Sequence, residues 1–336
     1  MKKIFYLLLL SFFLSCKVDK VEPSTAPLIE ANKGFFVINE GGFTHNNASL
    51  GYYNFQEKKY YPTIFTNNYK IGDVLQSAAF INNELYAVIN NSNTLLKIDV
   101  TNGSVVKKNM NFNSPRYIIQ ISANEGLVSD LFEDKLYIID LQTLEIKRTL
   151  ATNTWTETLL KFENKVFITC PQSEYLLSIA LNNPNKLDSI PIGYGSVSSV
   201  VDKNDMLWVL CSGDDSKSKK PSLCQLNPTN NQIVKSFEFS TYSRPSRMCI
   251  NATNDTLFYI NNDIVAFPIA ATSIPTTPYI AANGGNFYGL SIYNKNIVVL
   301  DAKDYNSLGT ATIYNQKKEN IASFTTGIIP SDILKY

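Results

Sequence analysis

The chain has 336 residues, with 30 Lys and Arg against 29 Asp and Glu and a formal net charge of +1. With no basic stripe in that near-balance, nucleic acid is excluded as a natural partner. One histidine, His45, excludes a multi-histidine metal centre.

At the start, Lys2 and Lys3 precede an apolar run from Ile4 to Leu14. A helix of that length cannot span the roughly 30 Å core of a bilayer, so the run reads as the hydrophobic region of a signal sequence. It ends in Phe13-Leu14-Ser15-Cys16. A small residue before a cysteine at this place resembles a bacterial lipobox. Residues 1–15 are then a lipoprotein signal peptide, and Cys16 is the first mature residue and the site of lipidation. Ordinary cleavage nearby is the alternative. Acyl chains contribute about 0.8 kcal/mol per buried CH₂, so a multiply acylated cysteine anchors stably. Residues 16–33 are polar and contain Pro23 and Pro27, which predicts a flexible tether. Lys17 and Asp19 loosely resemble the export signal of surface lipoproteins. The expected place is the outer membrane, facing outward, with a periplasm-facing orientation as the alternative and membrane contact through the lipid alone.

Residues 34–336 form a single domain built on a repeat. It is first legible at Asn82 to Val100, where strand Leu85 to Asn90, a polar gap Asn91-Ser92-Asn93 and strand Thr94 to Asp99 make an antiparallel hairpin. Equivalent strands are anchored at Phe36, Leu85, Leu127, Val166, Leu207, Leu257 and Ile297, at intervals of 39 to 50 residues. Each anchor strand has a downstream partner, then a more polar strand such as Ser104 to Asn109, Glu145 to Leu150 or Ile233 to Phe239. A fourth strand precedes the next anchor, as in Gln76 to Ile81, Arg116 to Ser122, Thr156 to Phe162, Val197 to Asp202, Ser246 to Asn251 and Tyr288 to Tyr293. Four strands per unit of about forty residues is the period of a β-propeller. The first anchor lacks a strand before it, and Ser331 to Tyr336 is a surplus one. The expected fold is all-β: a seven-bladed β-propeller of four-stranded antiparallel blades, closed by the C-terminal strand completing the first blade. An open two-sheet sandwich would not explain that match.

Three stretches carry a narrower resemblance: Phe36 to Gly42 with Asn46 to Leu50, Gly72-Asp73-Val74 ahead of Leu85 to Asn93, and Ser114 to Ile118. With the repeat they resemble the YncE-like seven-bladed propeller lipoproteins of Bacteroidota-type cell surfaces. That group includes BtuG-type proteins, which capture vitamin B12 and pass it to a TonB-dependent outer-membrane transporter. The resemblance implies a corrinoid or other small-molecule ligand and such a transporter as partner. It implies no ligand-contacting residue in particular.

By analogy of fold, ligands bind at one mouth of the central channel. Two loop sets would line it. One joins anchor and partner strands: Asn39 to Asn47, Asn90 to Asn93, Asp130 to Asp134, Ser212 to Pro221 and Asp301 to Gly309. The other crosses between blades: Asn67 to Asp73, Phe112 to Arg116, Thr152 to Glu157, Gly193 to Ser196, Tyr242 to Arg247 and Asn283 to Tyr288. The candidate ligand-binding residues on them are Asn39, Glu40, Phe43, His45, Tyr69, Asp73, Asn90, Asn91, Asn93, Arg116, Trp155, Tyr194, Tyr242, Arg244, Phe287, Tyr288 and Tyr305. Rings supply contact area and amides fix orientation, which suits a flat amphipathic ligand. Packing between blades is the alternative role for any one ring.

Catalytic signals are sparse. A Ser-His-Asp triad would have to use His45, and no nucleophile-elbow sequence marks its serine. Asp214-Asp215 lacks the spacing of a calcium loop. Gly284-Gly285 lacks the helix of a phosphate-binding motif, and no cofactor is expected. Glu40 and Asp73 form a candidate carboxylate pair. Cys211 and Cys224 flank one hairpin, either as buried thiols or as a bridge. The reading that results is non-catalytic ligand capture, with a protein- or glycan-binding scaffold and a propeller lyase or lactonase as alternatives.

Overall fold

The computed structural model describes residues 27–66 and 69–336. The signal segment and Cys16 lie outside the described residues. Seven antiparallel sheets follow one another along the chain. Blade 2 shows the pattern: Leu75–Ile81 innermost, then Glu84–Ile89, Thr94–Asp99 and Ser104–Asn109. The innermost strands contact one another in a closed cycle through all seven blades. The protein is therefore a seven-bladed β-propeller around a central axis.

Alternation along the strands explains the stacking, because successive side chains point to opposite faces of a sheet. Leu85, Ala87 and Ile89 pack towards blade 1 with Phe36, Ile38 and Leu50. Tyr86 and Val88 pack towards blade 3 with Val128 and Ile139. A central strand flanked by two blades buries both faces, so it reads as a continuous apolar run rather than an alternating one. The fourth strand is the rim and is mostly exposed, as in Ser104–Asn109. Asparagine makes the tight turns. Asn82 and Asn83 both have positive φ, 51° and 62°, as a two-residue hairpin with a primed turn requires. The described residues contain one short 3-10 turn, Asp215–Lys217, and no helix long and apolar enough to cross a membrane.

The ring closes as the sequence predicts. Pro330–Lys335 is the innermost strand of blade 1 and pairs with Gly34–Asn39. Aromatic packing reinforces the seam. Tyr53 of blade 1 stacks on Phe324 of blade 7 with centroids 4.3 Å apart. The chain docks on this blade before Gly34: Ile29 packs against its core, and the Asn32 N–H donates to the Tyr336 carbonyl at 2.7 Å. The expected tether therefore ends earlier than residue 33.

One detail differs from the sequence reading. Blade 6 has three strands among the described residues, Ser246–Ile250, Thr256–Asn261 and Asp263–Pro268. Its fourth place is taken by irregular chain carrying Pro275 and Pro278, which cannot donate to a ladder. That chain touches the sheet through one bridge, Ile264 to Ile280. Cys211 and Cys224 are buried free thiols on adjacent strands, opposite Ser222 and Val209 respectively.

The seam sets a stability prediction. Ile333→Ala removes a side chain that is 8 % exposed in the core shared by blades 7 and 1. It should cost about 2 to 3 kcal/mol in urea unfolding. Truncation before Pro330 should cost far more, abolishing a cooperative melt, because it exposes the edge of Gly34–Asn39.

Candidate functional site

The inner strands do not enter the channel straight. In blades 2, 3, 5, 6 and 7, the register against the next strand slips near the start of the inner strand. The same slip occurs in blade 1, between Asp332 and Pro330. In blade 4, Glu157 and Thr158 both bond the backbone of Thr169. A β-bulge re-aims the extra side chain, so the repeat places one re-aimed residue per blade at the same level. These are Ser331, Gln76, Arg116, Glu157, Val197, Arg247 and Tyr288, in blade order. Glu40 joins them from the loop after Gly34–Asn39. Its N–H is held by the Ile329 carbonyl at 2.9 Å, and its carbonyl accepts from Leu75 N–H at 3.1 Å. Gly41 turns the chain away at once, with φ +78°. Gly289 allows blades 7 and 1 to meet here, since a Cβ on it would stand 2.6 Å from the Ser331 carbonyl.

The ring is strongly polar and its charges are tied. Arg116 of blade 3 makes a two-pronged ion pair with Glu157 of blade 4, at 2.7 and 2.9 Å. Its remaining Nη1 donates to Gln76 of blade 2. Arg247 of blade 6 reaches across the axis. It donates to the Tyr117 hydroxyl of blade 3 at 3.3 Å and to Glu40 Oε1 of blade 1 at 3.4 Å. Its guanidinium lies over the Tyr288 ring of blade 7, 5.3 Å from the centroid, a cation–π contact. Tyr288 in turn donates to Glu40 Oε2 at 3.1 Å. Arg247 thus forms a floor across the mouth, touching three blades besides its own. Burial pushes the Glu40 carboxyl above its ordinary range, against the opposing pull of Arg247, Arg116 and Tyr288. Arg247 has φ +50°, Val74 +61° and Ile329 +53°, all at the entry to inner strands. Left-handed backbone at a β-branched or long residue is costly and clusters at functional sites. The Ser331 hydroxyl is buried with no hydrogen-bond partner.

Of the residues singled out from sequence, Glu40, Arg116 and Tyr288 meet in this ring. Tyr305 stands beside it, edge-on to Tyr288 at 5.6 Å. Asp73 belongs to a neighbouring clip: its Oδ2 accepts from Thr44 N–H at 2.8 Å and from Asn91 Nδ2 at 2.5 Å. Glu40 and Asp73 have separate partners and do not form the expected carboxylate pair. Asn39 is fully buried and bonds Ser49 and Tyr60. Asn90 bonds Ser114 and Pro115 beneath the mouth, and Asn93 supplies a left-handed turn. Phe287 packs in the core between blades 6 and 7. Tyr194 is buried and bonded to Gln172 and Lys217. Trp155 meets Phe132 edge-on at 5.4 Å. Phe43, Tyr69 and Tyr242 are exposed rings, Arg244 is exposed, and His45 bonds only the Phe43 carbonyl in its own loop. Among the described residues no three His, Cys, Asp or Glu side chains gather to hold a metal.

Sequence reasoning missed Gln76, Tyr117, Glu157 and Arg247, and chose Arg244 over Arg247. The signal was present. Arg116, Glu157, Arg247 and Tyr288 each end a crossing loop, so aligning the repeats on their inner strands would have put them in one column.

Fold and mouth together define a seven-bladed β-propeller with a charged ring whose floor is one arginine laid across the axis. The chain belongs to the family described as a domain of unknown function, DUF5074, which matches residues 33–312. No curated protein sequence matches it. Solved structures of similar fold include a quinonprotein alcohol dehydrogenase-like protein, BT1487, from Bacteroides thetaiotaomicron. It shows 15% identity and a TM-score of 0.67, over 90% of this chain and 78% of that one. The dihydro-heme d1 dehydrogenase NirN matches at 11% identity and a TM-score of 0.60, over 93% and 77%. BamB from Moraxella catarrhalis matches at 13% and 0.58, over 92% and 88%. At these identities the likeness is one of fold.

Two predictions follow the charges. Arg116→Ala leaves Glu157, whose side chain is 13% exposed, without its counter-charge. It should destabilise by about 3 kcal/mol, and the double replacement Arg116→Met with Glu157→Met should recover most of that, in a double-mutant cycle of denaturant unfolding. Glu40 binds its proton more tightly folded than unfolded, where its value is 4.5. Its contribution to stability therefore falls as pH rises from 4.5 through the raised folded value. Glu40→Gln should flatten that fall, measured as melting temperature from about pH 4 to pH 8.

Proposed function

We propose that this protein is a lipid-anchored propeller of the outer membrane that captures a small organic ligand at its mouth without chemical change. It presents the ligand to a TonB-dependent transporter, and a corrinoid is the first ligand to try, on the resemblance to YncE-like surface lipoproteins. The observation that carries the capture reading is the bulge-built ring. The fold repeats one device in successive blades, and in every blade but the fifth, which carries Val197, the device aims a polar or aromatic side chain at the mouth. A purely structural channel does not need re-aimed Arg, Glu and Tyr side chains there, nor an arginine held at the cost of left-handed backbone, as Arg247 is. The absence of chemistry is argued from the pairing. Arg116 and Glu157 are closed on each other, Glu40 is held by Arg247 and Tyr288, and the lone histidine lies in an exposed loop. Such groups orient a ligand more readily than they shuttle a proton. The lipid anchor at Cys16 and the outward orientation rest on the leader sequence.

The test is a titration of the full chain, purified in detergent, with cyanocobalamin, read by thermal shift and calorimetry. Capture predicts a rise in melting temperature, because a ligand at a hundred times its Kd stabilises by about 2.7 kcal/mol. It also predicts that a TonB-dependent transporter co-purifies from native membranes, and that Cys16→Ser releases the protein from them. No shift with any corrinoid removes that ligand. A melting temperature indifferent to a broad metabolite library removes capture.

A further inference from the structure

The floor of the mouth has unspent hydrogen-bond donors. Arg247 carries five N–H donors, yet its two hydrogen bonds, to Tyr117 and Glu40, are long at 3.3 and 3.4 Å. Its side chain is 22% exposed, so it is not sealed inside the ring. The Tyr117 hydroxyl accepts from Arg247 and donates to no acceptor among the described residues. Arg116, the other arginine of the ring, by contrast has all three of its nitrogens bonded, to Glu157 and Gln76. The unfilled capacity therefore lies on one guanidinium and one phenol that already touch.

We propose that Arg247, flanked by Tyr117 and backed by the Tyr288 ring, is the anchor for an oxyanionic group of the captured ligand, a carboxylate or a phosphate ester. This rests on capture at the mouth and narrows it to a class of ligand. A planar guanidinium matches a planar carboxylate in two parallel hydrogen bonds, and a tyrosine ring behind it keeps it flat and oriented. The guanidinium and the phenol thus keep donors free for an acceptor at the floor. Burial pushes the Glu40 carboxyl above its ordinary range, against the pull of Arg247. The body of the ligand would rest against Tyr305, which stands edge-on to Tyr288 at the side of the ring.

The experiment uses matched acid and neutral probes: nicotinate with nicotinamide, indole-3-acetate with indole-3-acetamide, and benzyl phosphate with benzyl alcohol. Each is titrated into the full chain by ligand-observed NMR. The expected result is that at least one acid binds about tenfold more tightly than its neutral partner, and that Arg247→Gln abolishes the difference. Tyr117→Phe, which removes only the hydroxyl, should weaken the acid several-fold with the melting temperature unchanged, so the proposal stays testable if Arg247→Gln fails to fold. Arg244→Gln, off the floor, should change nothing. The phosphate and carboxylate pairs separate the two anion types. Equal binding of acid and neutral partner, unaltered in Arg247→Gln, overturns the anchor and leaves capture standing. Binding by none of the six probes also overturns it, and the cobalamin and library titrations then decide capture on their own.

Discussion

The pairing of Pro330–Lys335 with Gly34–Asn39 is the constraint on which the molecule depends. A propeller blade is stable only when both faces are covered, and seven blades in a row leave two faces bare until the ring is joined. Using a strand from the far end of the chain to complete the first blade joins it by backbone hydrogen bonds. Hydrophobic contact alone would not fix the register. The same pairing builds the site. The Ile328 and Ile329 carbonyls, just before the closing strand, hold the N–H groups of Gly41 and Glu40. Closure of the ring and placement of the mouth carboxylate are one structural event.

The mouth is an economical piece of electrostatics. An arginine taken from water needs compensation, and Arg247 finds it from three directions: a carboxylate, a phenol and an aromatic face. None of the three contacts is tight. A tight, bidentate pair would have locked the guanidinium as Arg116 is locked by Glu157. The two arginines therefore have different characters although they occupy equivalent places in their blades. One is a strut between neighbouring blades, and the other is a cross-piece with capacity to spare. Left-handed backbone at Val74, Arg247 and Ile329 is tolerated because the ladders on either side over-determine the chain's path.

The fold could be read from the chain because its cause is local and repeated. Phe36-Val37-Ile38, Leu85-Tyr86-Ala87-Val88 and Leu207-Trp208-Val209-Leu210 are unbroken apolar runs between polar turns, and asparagines mark the places where φ must be positive. The surplus strand at Ser331 to Tyr336 announced closure. Blade 6 escaped because an outer strand contributes little apolar pattern, and the loss of a strand at Pro275 and Pro278 shows only in the pairing. The site was half legible. Glu40, Arg116 and Tyr288 stood out as charged or aromatic residues in the right loops. Asn39 and Asn90 stood out for the same reason, although each serves the interior.

What the sequence determined by itself was the number of blades, their order and the closing of the ring, because strand periodicity and turn chemistry act over a few residues. Only the tertiary structure decided which side chains meet on the axis. Arg247, Tyr117, Glu40 and Tyr288 come from four blades and lie far apart in the chain. The bulges that aim them are slips of register between paired strands. A slip of one residue turns a side chain from one face to the other, and no single strand's sequence records it.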